Sequence, residues 1–250
     1  MMQVTKPAVF LIACLAFMAV PLLPRLSKDA PGMRSPETTS AQLKSTVQCI
    51  ERNDLDRDLV ILRSNLADSE VSQVVNSFRS SAKKSLECRQ QIIDALIRAM
   101  RKPGSGEFAD SQRFSLWRHG SNLLAELQAT EALDLLVANL DVTDGLSVSL
   151  GHYPAVDAVT RMGESAVPKL QTVLSENSNR YMRKFAVFCI ASIGGTEAKS
   201  VLTKALSSET DPCVNRFIRI SLEMFGNKSE PNHIPQGKDS RWISAFYCLT

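Results

Sequence analysis

The chain has 250 residues, a formal net charge of +3 and an apolar fraction of 44%. That is enough chain and enough apolar surface for one or two globular domains, and too small a charge to argue for nucleic acid by itself. Aromatics are few at 6%, Leu, Ala and Ser dominate, and strand-like alternation is scarce, so an all-α protein is the economical expectation.

The N-terminus opens with an uncharged run from Pro7 to Leu23, preceded by Lys6 and ended by Pro24-Arg25. Its length lies between a signal-peptide core and a full membrane span. Cleavage after Ala16 fits the small residues Cys14 and Ala16, and Leu11-Ile-Ala-Cys14 resembles a lipoprotein box. Arg25, Lys28 and Arg34 follow the run, on the side that the positive-inside rule would keep in the cytoplasm. Residues 1–26 are expected to be a signal peptide or membrane anchor, with export favoured. Residues 27–40, rich in Pro, Ser and Thr, read as a flexible linker.

Helices are expected at about 41–52, 55–67, 69–81 and 84–101, with Ser69 as the cap of the third. Arg101-Lys-Pro-Gly-Ser-Gly106 breaks the fourth. Further helices are expected at 112–128, carrying Phe114, Trp117, Leu123, Leu124 and Leu127, and at 130–140. A long connection then runs from Asp141 to Tyr153.

From here the text repeats. Ala166, Leu170 and Leu174 return as Ala198, Leu202 and Leu206, and precede themselves as Ala132, Leu136 and Leu140. The offsets are about 32 and about 34 residues, in the range of stacked helical repeats. Phe185, Ile193 and Gly194 likewise return as Phe217, Phe225 and Gly226. Residues 166, 170 and 174 fall on one stripe of a 3.6-residue helix. Pro168 suits a first turn, and Gly194-Gly195 and Gly226 suit helix ends. No helix of this length buries its stripe alone, so each copy needs a neighbour. Beyond 226, the polar tail 227–250 is expected to be mostly irregular, with Trp242–Leu249 apolar enough to dock on the body.

The text G-E-S-A-V-P-K-L-x-x-V-L followed by Y-M-R-K-F-A-x-x-C-I-A-S-I-G-G resembles the short HEAT-like repeats of the armadillo-type class, the variety associated with phycobilisome lyases. The resemblance is strong over 122–226 and weaker over 43–101. It implies a short right-handed α-α solenoid of HEAT-like helix pairs over 41–226. Such repeats carry an Asp between the helices and an Arg early in the second. Arg183 matches that Arg, but its link SENSN has no Asp. The next repeat has Asp211 with Asn215 in the Arg position, so the inter-repeat polar ladder is expected to be broken.

Chemistry has no visible residue set. Asp141, Asp144 and His152 lack the alternation of a calcium loop and a second histidine, and no Cys/His spacing suggests a metal. Cys49, Cys88 and Cys189 read as small buried side chains, and export would permit disulfides; Cys189 with Cys213 is an unsuitable pair, about two helical turns apart. No cofactor is expected.

A binding face is the remaining candidate. Aligning the second helices puts Arg118, Tyr153, Lys184 and Arg216 at one position, and Asn122, Asp157, Phe188 and Ile220 one turn on. Arg183 and Arg219, with Arg180, thicken the basic character. The competing reading is a solvated charged face with Phe188 in the core. The expected function is a non-enzymatic scaffold, exported or membrane-tethered, that binds another protein, an acidic one, through this face or the 141–153 loop. The family resemblance implies the alternative, a lyase-like or maturation-factor subunit. A nucleic-acid role on an alkylpurine-glycosylase-like scaffold is not expected, given the charge and the membrane signal.

Overall fold

The computed structural model describes residues 48–64, 68–101, 111–143, 153–225 and 240–248. Among them there is no strand, and the regular elements are helices: α1 (Arg52–Arg63), α2 (Asp68–Ala82), α3 (Leu86–Met100), α4 (Ser111–Glu126), α5 (Leu133–Val137), α6 (Pro154–Met162), α7 (Val167–Glu176), α8 (Arg180–Ile193), α9 (Gly195–Ser208), α10 (Pro212–Phe225) and α11 (Ser240–Tyr247). Single 3-10 turns, Thr130–Ala132 and Gly163–Ala166, lead into α5 and α7.

Local chemistry explains where these helices start and stop. Ser85 accepts the Cys88 amide at the head of α3, and Asn179 accepts the Tyr181 amide at the head of α8. Asp211 accepts from the amides of Cys213 and Val214 at the head of α10. Burial works against that carboxylate, but these two amides and the nearby Arg183 and Arg180 hold it below its usual range. Pro168 stands in the first turn of α7, as the sequence suggests. Gly194, at φ +74°, and Gly195, at φ +84°, take the positive angles that let α8 end and α9 begin without a link.

The helices pack on near neighbours in two series. α1 packs on α4, α4 on α6, α6 on α8, α8 on α10 and α10 on α11. α5 packs on α7 and α7 on α9, and the two series meet where α5 touches α6, α7 touches α8 and α9 touches α10. The repeated positions lie between them: Ala166, Leu170, Leu174, Ala198, Leu202, Ala132, Leu136 and Leu140 are all buried. Gly120, inside α4, permits a close approach to α3, since a Cβ there would sit 2.7 Å from Met100 Sδ.

Several boundaries differ from the sequence reading. Residues 48–50 are not helical, so the helix expected to run to 52 does not reach its end; α1 begins there instead. Ser69 follows the first residue of α2 and is not its cap. The segment expected as one helix over 130–140 is a 3-10 turn, the five-residue α5 and a turn. The tail contains α11, which docks on α10 as the apolar text suggested. The N-terminal run, the linker 27–40, and most of the 141–153 connection lie outside the described residues.

Candidate functional site

The most elaborate arrangement of polar and aromatic groups lies where α11 meets α8 and α10. Phe246 of α11 is 2% exposed, with its ring 5.2 Å from that of Phe185 and 5.6 Å from that of Phe217. Tyr153 continues the row, 4.7 Å from Phe185. Edge-on and tilted contacts of this kind add to the area that they bury. The sequence supplies this seat through repetition: Phe185 and Phe217 are the same position in successive second helices.

Lys184 sits beside the seat and is 1% exposed. Its ammonium donates to the Phe246 carbonyl at 2.5 Å and to Cys248 Sγ at 3.1 Å. It also lies 5.0 Å from the Tyr181 ring centroid and 5.5 Å from that of Phe246. The last carbonyls of a helix lack partners within it and carry partial negative charge, so a lysine here caps α11. Burial pushes the Lys184 pKa below the usual lysine range, Arg180 adds to that, and Asp211 opposes it. Burial also raises the Tyr247 phenol, with Tyr181 adding to the effect.

A disulfide between Cys213, in the first turn of α10, and Cys248, just past α11, closes the arrangement. Cys248 has φ +55°, in the left-handed region that non-glycine residues seldom take. A second disulfide joins Cys49, ahead of α1, to Cys88 of α3. Cys49 and Cys88 are therefore bonded to each other, a correction to their reading as independent small core residues. Each bond closes a loop of three to four dozen residues, stabilisation of about 3–4 kcal/mol on the chain-entropy account. Cys189 is free and buried, as expected, with its thiol pushed up to about 12, chiefly by burial.

The nine residues expected to form one binding strip divide into several groups. Arg118, Arg216 and Arg219 are exposed, and Arg219 donates to Asn215. Asn122 and Asp157 are half-buried and share Arg161, which donates to Asn122 and pairs with Asp157 at 3.5 Å. Tyr153 belongs to the aromatic row. Lys184 is not a solvent-facing cation: α11 covers it. Phe188 is 3% exposed and part of the core, which is the competing reading of that ring.

Arg183 is a structural connector. Its Nε and Nη2 donate to both carboxylate oxygens of Glu209, at 2.9 and 3.1 Å, and Nη1 donates to the carbonyls of Asn177 and Ser178. Asn215 donates to the carbonyls of Leu206 and Glu209. Although the link before α8 has no Asp, Arg183 thus finds an acidic partner in Glu209, in the link before α10. Above the pair lies an open groove of about 510 Å³ between the C-terminal turns of α7 and α9, edged by Gln171, Glu176, Lys204 and Thr210.

Among the described residues no cluster of three or more His, Cys, Asp or Glu is placed to hold a metal, and no helix is long and apolar enough to cross a membrane. The sequence reading missed Phe246, Cys248 and Glu209 as parts of the site. Glu209 had a signal, an acidic residue in the right link. Comparison with protein-family models, curated proteins and solved structures found no match.

Proposed function

We propose that the protein is a non-enzymatic helical-repeat scaffold, exported or membrane-tethered through residues 1–26, that receives a helical segment of another protein on the face of α4, α6, α8 and α10. One observation carries this reading: the chain's own α11 is held on that face in the manner of a ligand. It has an aromatic anchor set among rings and a carbonyl terminus taken by a buried lysine. Helix-in-groove recognition uses these same elements. The remaining cations of the strip, Arg118, Arg216 and Arg219, give an acidic partner the electrostatic advantage.

The repeat offsets and the two series of helix contacts support a short HEAT-like solenoid. Two disulfides in one small body support residence on the oxidising side of a membrane, where such bonds persist.

Site-specific photo-crosslinking in the cells that make the protein tests the face. A photoreactive residue is placed at Arg118 or Arg216 of the full chain, and at the exposed Lys199 of α9 as the control. Discrete adducts with another protein are expected at 118 and 216 and not at 199. Equal adducts at all three positions, or none at 118 and 216, would sink the proposal.

A further inference from the structure

The two disulfides sit in different surroundings. Cys88 is fully buried, so a reductant in solution reaches the first bond only at the half-buried Cys49, whereas Cys213 and Cys248 are both half-buried and either sulfur of the second bond can be reached. The second bond is also electrically lopsided. The Lys184 ammonium lies 3.1 Å from Cys248 Sγ, while the Asp211 carboxylate stands at the Cys213 amide, 2.9 Å away. A cation beside a sulfur stabilises its thiolate, whereas at Cys213 the disfavouring carboxylate is opposed by the first turn of α10, which favours one. In thiol–disulfide exchange the sulfur that leaves as the more stable thiolate leaves faster. Holding a lysine at 1% exposure costs solvation. The cap on α11 is one return for that cost, and the contact with a sulfur is a second.

We propose that Cys213–Cys248 is a thiol–disulfide exchange site whose co-substrate is a dithiol reductant, with Lys184 stabilising the Cys248 thiolate as it leaves. A thiolate of the reductant attacks Cys213 Sγ, the Cys213–Cys248 bond breaks, and its electron pair departs on Cys248 beside Lys184. The reductant's second thiolate then attacks its own sulfur in the mixed disulfide. That step forms the reductant's internal disulfide and releases Cys213, which takes a proton. The chain gains two electrons and the dithiol loses them. Opening also removes the covalent tie on α11, so that Phe246 and the Lys184 cap hold it without that tie. The positive φ of Cys248 is then free to relax. Filling of the aromatic seat thus depends on the state of this bond, a consequence that rests on the helix-accepting reading of the face.

The test uses the oxidised full chain, incubated with dithiothreitol, quenched in acid, and followed by differential alkylation and mass spectrometry of each cysteine. Cys213–Cys248 should open at least about tenfold faster than Cys49–Cys88 in the same molecules. Lys184→Met should slow the first about tenfold and leave the second unchanged, and Lys184→Arg should restore most of the rate. A single-thiol trap should be found on Cys213 and not on Cys248. Equal rates for the two bonds, or a Lys184→Met protein that opens as fast as the parent or faster, overturn the exchange site. Trypsin cleavage after Arg241 in α11, measured before and after reduction, reads the seat separately. If cleavage does not rise although the bond has opened, control of the seat fails while the exchange chemistry stands.

Discussion

Phe246→Ala probes what holds α11. The ring is buried against Phe185 and Phe217, with Tyr247 at 5.2 Å on its own helix. Truncating a buried phenylalanine costs about 3–5 kcal/mol. The other buried residue described in α11 is Ala245, which has little to lose, and an eight-residue helix does not persist alone. The cost therefore falls on one local equilibrium, between docked and released α11. At about 1.4 kcal/mol per factor of ten, about 3 kcal/mol raises the released fraction by about two orders of magnitude. Cleavage after Arg241 needs that helix to open, and its rate follows the open population when closing is faster than cutting. Limited trypsinolysis with Cys213–Cys248 intact in both proteins should show the increase, while α1–α10 keep their helicity. A variant cut within about threefold of the parent, a difference of about 0.7 kcal/mol, would refute the claim that this ring anchors the helix.

Two further outcomes are expected from the body. Leu170→Ala and Leu202→Ala, both at fully buried repeat positions, should each lower stability by about 3–4 kcal/mol in denaturant titration, and a loss under about 1 kcal/mol would contradict their shared core role. Glu126 is held below its ordinary pKa of 4.5, first by the hydrogen bonds from Arg79. A depressed carboxyl contributes stability above its unfolded pKa and loses it as pH falls through the folded value, so Arg79→Met should lower stability at pH 7 and flatten the acid limb below about pH 4.5. A gap between parent and variant that stays constant from about pH 7 to about pH 3 would contradict that linkage.

The repeat stripe was legible because its cause is local. Ala166, Leu170 and Leu174 recur at helical spacing wherever a helix must bury one side, and every copy is buried except Leu206, which is partly buried against the core. Cap chemistry was equally local at Pro168 and Gly194. Lys184 was misleading for the opposite reason. In text it aligns with Arg118 and Arg216, which are exposed, and what buries it is a helix whose Phe246 lies 62 residues further on. No window around Lys184 contains that information. The cysteines posed the same problem, since Cys49 with Cys88 and Cys213 with Cys248 are separated by 39 and 35 residues. Their pairing depends on which helices become neighbours, which sequence spacing does not state.

The placement of the two bonds has a further logic. Among the described elements, α1 and α11 stand at the two ends of the contact series that runs through α4, α6, α8 and α10. The Cys49–Cys88 bond ties the segment before α1 to α3, and Cys213–Cys248 ties α11 to α10, so each bond secures a piece of chain at one end of the series. At the last end the buried side chains among the described residues of α11 are Phe246 and the small Ala245. The lysine cap and the covalent tie add to these, and both converge on Cys248. On the helix-accepting reading proposed above, breaking that bond would leave the cover open to competition. A partner helix that presents an aromatic side chain and an unpaired carbonyl end competes for the same rings and the same ammonium. Acidic residues along that helix would add the pull of the exposed Arg216 and Arg219.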